Sequence, residues 1–331
     1  MNEIVKRRSE LLVENQKVMT KSFIFEHSIT NAIVAAAFAE KDRNVDVDAI
    51  KDARNLLKKR KGVFSDFRAY NELIVSARMA LSGNPEGYLD SLIDVYDKFK
   101  KGKLFGSSYK VLAAMSICDQ GKYNDADRLV EKTNDLLKKM NKAHPMLTSD
   151  EDTCFAVLLA MTDKSVDDIL TELEEAYGIL KSDFAFHKDA VFSLAQVLTA
   201  YEGNAAEKSS KALDFFNAFK AAGAKYGKDY ELASLGALID IDADKDELVS
   251  DVIGVADHIK GKKGFGILDM GRETRLMFGT MLVTGAYLSA DYNTETSSLG
   301  RDIGRIVALQ TAILITMMIV VATTAAASAS H

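Results

Sequence analysis

The chain has 331 residues but no tryptophan, two prolines, two cysteines and five histidines. So little proline leaves long helices uninterrupted, because proline removes a backbone donor and clashes inside a helix. Both prolines stand where a helix tolerates them. Asn84-Pro85 reads as an N-cap followed by a first helical residue, and His144-Pro145 falls between two helical runs. Cys118 and Cys154 lie in apolar helical stretches without pairing or metal-ligand spacing, so both are expected to be buried, reduced thiols. His27, His144, His187, His258 and His331 are scattered singly with no His-x-x-x-His pair, which argues against a zinc site. Gly-x-Ser-x-Gly and Cys-x-x-Cys are absent, so no nucleophile elbow or redox motif is offered and no catalytic residue or cofactor is implied. The formal charge of −6 opposes general affinity for nucleic acid phosphates.

What the chain does contain is a repeat. Apolar stretches rich in small residues start at Asn71, Tyr109, Cys154, Ala190, Tyr230 and Thr274, each followed by a charged amphipathic stretch. A spacing of about 36–45 residues marks stacked helical hairpins, each unable to bury its apolar face without a neighbour. First helices are expected to begin near Phe64, Phe105, Leu147, Phe184, Tyr226 and Phe265. Second helices are expected at 85–101, 123–140, 165–181, 205–221 and 245–260, where apolar residues keep helical spacing, as in Leu89, Ile93, Tyr96 and Phe99. Ser149 with Asp152 resembles a capping box, and Gly62, Gly102, Gly223 and Gly261 suit left-handed helix ends. The fold expected is all-α, a right-handed α-solenoid of about six hairpins. Residues 1–63 would cap it, 64–289 form the array, and 290–331 supply a linker and a hydrophobic C-terminal helix.

Within that last part, Ile306 to Ala322 carries no charge and follows Arg301 and Arg305. Its length of about 17 residues only reaches the spanning minimum, and Gln310, Thr311 and Thr316 oppose insertion. A helix packed in a core or on a partner is therefore preferred to a membrane anchor. Lys6, Arg7 and Arg8 are not followed by a signal-type apolar core, so a cytoplasmic location is expected.

Charge is distributed by edge. Second helices end in lysines, such as Lys98, Lys100, Lys101 and Lys103, or Lys260, Lys262 and Lys263, whereas the hairpin turns carry acids. Helix-end electrostatics explains part of this. A binding role would have the acidic edge accept a basic protein segment, or the lysine edge an acidic segment or anionic lipid. The richest acidic turn holds Asp240, Asp242, Asp244 and Asp246, the candidate partner-binding residues. It resembles a calcium loop but has Lys245 where glycine is required and no bidentate glutamate. Gly261-Lys-Lys-Gly264-Phe-Gly266 lacks the lysine-hydroxyl ending of a phosphate loop. His144, Ser149, Asp150 and Asp152 could bring an imidazole, a hydroxyl and carboxylates together, and form the candidate small-ligand site.

Several words, in order, resemble one family: Phe105-Gly-Ser-Ser-Tyr109, His144 to Asp152 with Phe155 to Ala160, Tyr226 to Gly236, and Lys263-Gly-Phe-Gly266. The family is catalogued as domain of unknown function 4003 and is found mainly in bacterial Firmicutes. The resemblance spans roughly 80–285, with a similar apolar tail, and implies an all-helical cytoplasmic protein with no activity to carry over. The function expected is a protein-interaction scaffold. The alternatives are a small-ligand binder or enzyme with a pocket near 144–152, and an adaptor anchored to a membrane by its C-terminus.

Overall fold

Helices begin where side chains can take up orphan N–H groups. Asn2, Asp46, Asn84, Ser107, Asn204 and Asp244 each accept from a backbone N–H two or three residues on. Asn84 does so with Pro85 behind it, as the sequence predicts. The computed structural model describes residues 1–62, 65–68, 71–101, 106–266, 270–289 and Gly304. All regular structure among them is helical: α1 (Glu3–Ser22), α2 (Ser28–Glu40), α3 (Val47–Arg60), α4 (Glu72–Leu81), α5 (Pro85–Lys100), α6 (Ser108–Asp119) and α7 (Ala126–Ala143) come first. After α8 (Thr153–Ala160), α9 (Val166–Leu180), α10 (Lys188–Thr199) and α11 (Ala205–Ala221) comes a 3₁₀ helix, Tyr230–Leu238, then α12 (Lys245–Ile259) and α13 (Arg272–Tyr287). The linker at 290–300 and the apolar run 306–322 lie outside the described residues, as do Phe64, Gly102, Lys103 and Phe105.

The five expected second helices appear at their predicted places, as α5, α7, α9, α11 and α12. The first helices start later than the aromatic or leucine residues that were expected to open them. Phe184, Tyr226 and Phe265 instead plug the core ahead of the helix, with ring centroids 4.9 Å from Phe216, 4.9 Å from Phe219 and 6.2 Å from Phe278 respectively. Such contacts are worth about 0.5–1.5 kcal/mol beyond burial. Leu147 likewise sits in the turn before α8. Gly223 and Gly261 take the left-handed conformation foreseen for them, with φ of 72° at each. Gly62 does not, because Lys61 leaves α3 in extended conformation.

The chain divides into two units. Unit 1 combines residues 1–44 with the described residues from 167 onward, and unit 2 holds those of 45–166. In unit 2 the closest pairs are α3 with α4, α5 with α6, and α7 with α8. Each therefore joins an amphipathic helix to the apolar helix that follows it, one helix out of step with the hairpins drawn from sequence. Amphipathic α5 also touches α3 and α7, and apolar α6 touches α8. The apolar helices are buried along nearly their whole length, so their polar residues must be satisfied internally. Ser76 and Ser116 do so by donating to the carbonyls four residues back, at 2.6 Å and 2.9 Å.

Unit 1 follows the same rule at its two ends, while between them the 3₁₀ helix packs more on α10 than on α11. Helices α1 and α2 pair, α12 and α13 pair, and the 3₁₀ helix packs on α10, α11 and α13. The N-terminal pair joins an amphipathic helix to an apolar one. It packs directly on the last pair, α1 on α12 and α13, and α2 on α13. Ser28 Oγ donates to the Gly264 carbonyl at 3.0 Å, and Asn15 Nδ2 reaches the carbonyls of Ala35 and Arg43 at 3.3 Å and 3.0 Å.

Candidate functional site

A concavity lies in unit 1, at the connection between α11 and the 3₁₀ helix. Gly223 ends α11, and Arg272 Nη1 at the start of α13 donates to its carbonyl at 2.8 Å. Tyr226 then turns inward. Its hydroxyl is buried within 2.6 Å of Ser234 Oγ and 2.8 Å of Thr280 Oγ1, which fastens the connection to the 3₁₀ helix and to α13. A Cβ at Gly227 would stand 2.8 Å from Glu231 Oε2, so only glycine lets that side chain fold back over the connection. The result is a cleft of about 640 Å³ lined by Phe216, Lys220, Lys225, Lys228, Glu231 and Glu273, with Tyr226, Gly227 and Asp229 between them.

The lining is amphoteric. Lys228 Nζ stands 5.7 Å from the centre of the Phe216 ring, a cation–π contact, and Phe184 supports that ring from another side. Asp229 Oδ1 lies 2.8 Å from His187 Nδ1. Glu231 accepts from Thr274 Oγ1 at 3.2 Å. Burial raises the Glu231 pKa, and the nearby Glu273 and Asp229 charges add to that, while hydrogen bonds from Thr274 and the backbone oppose it. A carboxyl destabilised in its charged form gains most from an incoming cation. The cleft can therefore take a segment with a cationic group for Glu231 and Glu273, acceptors for the lysines, and an apolar face for Phe216.

Tyr226 holds the cleft together, so its removal has a defined expected result. Tyr226→Phe leaves the Ser234 and Thr280 hydroxyls short of a buried partner, for a loss of about 1–2 kcal/mol. The urea unfolding midpoint of the variant checks this. An unchanged midpoint would mean that the hydroxyl triad contributes nothing.

The residues singled out from sequence are placed as follows. Ser149 and Asp152 cap each other: Ser149 N donates to Asp152 Oδ2 at 2.7 Å, and Ser149 Oγ accepts from Glu151 N at 3.2 Å. That is the capping box the sequence predicts. Asp150 pairs with Lys110 at 3.4 Å, and the His144 carbonyl accepts from Leu147 N and Thr148 N. These residues share one turn, in which Ser149 and Asp152 cap the helix start and Asp150 pairs with Lys110 on α6. In the acidic turn, Asp244 caps α12, accepting from Asp246 N and Glu247 N at 2.9 Å and 3.0 Å. Asp240, Asp242 and Asp246 are exposed, and partial desolvation raises the Asp240 carboxyl pKa against the pull of Lys211 and Lys208.

Both cysteines are free and buried. Burial pushes the Cys118 thiol up to about 12 and Cys154 up as well, so neither is a thiolate at neutral pH. Among the described residues no group of three His, Cys, Asp or Glu side chains is placed to hold a metal ion. No helix among them is long and apolar enough to cross a membrane.

Sequence reasoning passed over the cleft because its charged residues come from three elements. One signal was present: Tyr226, Gly227, Lys228, Asp229 and Glu231 all lie in the word Tyr226 to Gly236 that carries the family resemblance. The described residues define an all-helical protein whose unit 1 bears a cleft lined by charges of both signs and an aromatic ring. The chain belongs to the family described as protein of unknown function (DUF4003), whose sequence profile matches residues 15–325. No curated protein matches the chain, and no solved structure does.

Proposed function

We propose that the chain is a cytoplasmic protein-interaction scaffold whose helix pairs stack as a right-handed α-solenoid, and that it grips a partner segment in the unit 1 cleft. The division into 1–63, 64–289 and 290–331 is part of the same proposal. The observation that carries it is the cleft lining, in which Lys220, Lys225 and Lys228 stand with Glu231 and Glu273 around the Phe216 ring. An open amphoteric cleft suits a polypeptide, which offers charges of both signs and an apolar side chain within a few residues. The exposed acidic turn, Asp240, Asp242, Asp244 and Asp246, supplies a second contact for a basic stretch of the same partner. This reading prefers the cleft to His144, Ser149, Asp150 and Asp152, because Ser149 and Asp152 cap each other and Asp150 pairs with Lys110.

A displayed library of short random peptides tests the reading. Peptides that combine a basic and an apolar residue should be enriched by the wild-type chain. They should bind at least about tenfold more weakly to a Phe216→Ala/Glu231→Gln variant, the scale for losing a buried aromatic and a charge partner. A smaller loss is expected for Asp242→Lys/Asp246→Lys. Enriched peptides that bind the cleft variant as well as the wild type would overturn the proposal.

A further inference from the structure

Four connections between successive helices of unit 1 are stitched to one another. Ser28 Oγ ties the α1–α2 turn to Gly264 in the α12–α13 connection. Arg272, at the far end of that connection, reaches Gly223 beyond α11. Asp229, closing the same α11 connection, pairs with His187 before α10. The four connections therefore follow each other along one edge, in the order 23–28, 260–266 with 270–272, 222–229, 181–187.

The two central segments, 220–231 and 260–266, contain six lysines, Lys220, Lys225, Lys228, Lys260, Lys262 and Lys263, against two carboxylates, Asp229 and Glu231. All six lysines are exposed, while Asp229 is paired with His187 and Glu231 is held by Thr274. The chain as a whole is acidic at −6, so this field is a local reversal. In the sequence at its borders, Glu26, Asp183, Asp189, Asp269 and Glu273 weaken it, and Lys181, Lys188 and Arg272 stand beside them, so cations still outnumber acids along the edge.

Among the described residues of the unit, the flanks also carry the most exposed aromatic rings. Phe25, in the α1–α2 turn, is 96% exposed beside Ile24. Phe186, in the α9–α10 turn, is 99% exposed and is held at φ 75°, a region that a phenylalanine enters at a cost. Burial offers neither ring a reason to be there. Two strained or projecting aromatics on either side of a lysine field match what an anionic bilayer recognises: rings seated at the headgroup level and ammonium groups on lipid phosphates.

We infer that this edge of unit 1 docks on an anionic lipid surface, with Phe25 and Phe186 entering the interface and Lys260, Lys262 and Lys263 among the cations that face the headgroups. An acidic protein would satisfy the lysines but would give no use to rings placed outside the field. This inference goes beyond the cleft, and the residues that test it do not line the cleft.

Co-sedimentation of the full chain with phosphatidylcholine vesicles, with and without phosphatidylserine, is the test, and the readout is the excess uptake on the anionic ones. Phe25→Ser/Phe186→Ser should reduce that excess by at least about tenfold, since each ring loses its seat in the interface. Lys262→Glu/Lys263→Glu should do the same, because each lysine contributes about a fivefold factor near an anionic surface. Added salt should weaken the wild type. Unfolding midpoints equal to the wild type establish that both variants fold. No anionic excess for the wild type, or an excess that survives both variants, overturns the inference. So does the case in which soluble polyglutamate binds the wild type and Phe25→Ser/Phe186→Ser equally and vesicles bind neither. Peptide selection on the cleft is read separately, so failure of one leaves the other standing.

Discussion

Replacing Gly279 by alanine is expected to lower the unfolding free energy by about 2–3 kcal/mol, although alanine is the better helix former by about 1 kcal/mol. The reason is the approach of α13 to α12. A Cβ at position 279 would stand 2.6 Å from the backbone carbonyl oxygen of Val252 and 3.2 Å from its Cγ1. The obstacle is the main chain of another helix, so no rotamer change relieves it. Shifting α13 outward would disturb its packing on α1, α2 and the 3₁₀ helix, all of which meet it. The denaturant midpoint gives the sign directly. Destabilisation means the close approach dominates, whereas stabilisation would mean the two helices are further apart than described.

The second large effect is expected at Glu72 in unit 2. This carboxylate is 5% exposed and is paired with Arg54 and Arg68, with Lys58 Nζ at 3.7 Å. Burial pushes its pKa up, but the hydrogen bonds and charges of Arg54 and Arg68 more than offset this, and the net shift is downward. A folded pKa below the unfolded one means stability that is fully present above the ordinary carboxylate value. It is lost as pH falls through the lowered folded value. Glu72→Gln keeps the shape and removes the charge, leaving two guanidinium groups facing a neutral amide. A loss of about 2–4 kcal/mol is expected at neutral pH, shrinking as the pH drops below about 4. Urea titrations at several pH values measure it. A loss that stays constant down to strongly acid pH would show that packing, and not charge, is responsible.

Much of the architecture was legible in the sequence because helix signals are local. Asn84-Pro85, the Ser149–Asp152 box and the stripe Leu89, Ile93, Tyr96 and Phe99 each report on a few consecutive residues, and all are found as expected except Ile93, which is half-buried while Leu92 and Val95 take the core beside the other three. What sequence periodicity leaves open is which neighbour a helix prefers. The pairing of α5 with α6, and the docking of α1 on α12 and α13, depend on contacts remote in the chain. The aromatic residues ahead of the apolar helices were read as helix starts because an aromatic near a polar cluster fits that position. Phe184, Tyr226 and Phe265 instead face partners on other helices, information that spacing does not contain.

The candidate site was less legible. His144, Ser149, Asp150 and Asp152 attract notice as neighbours in sequence, yet neighbours of this kind mostly cap helices, as Ser149 and Asp152 do here. The cleft draws Phe216 and Lys220 from α11, Glu231 from the 3₁₀ helix and Glu273 from α13. Its local trace was a glycine between a tyrosine and a lysine. Gly227 matters because Glu231 lies against it, and nothing in its own neighbours says so. A 3₁₀ run as long as Tyr230–Leu238 is uncommon and marks a place under functional or packing constraint.

The measurement that bears most directly on the scaffold reading is photo-crosslinking in cells. A photoreactive side chain is placed at position 225, in the cleft lining, and in a second protein at position 55, on α3 in unit 2. The expected result is a discrete covalent partner from position 225 that position 55 does not capture and that Phe216→Ala/Glu231→Gln abolishes. No adduct from position 225, or the same adducts from both positions, would contradict a cleft built to hold a partner.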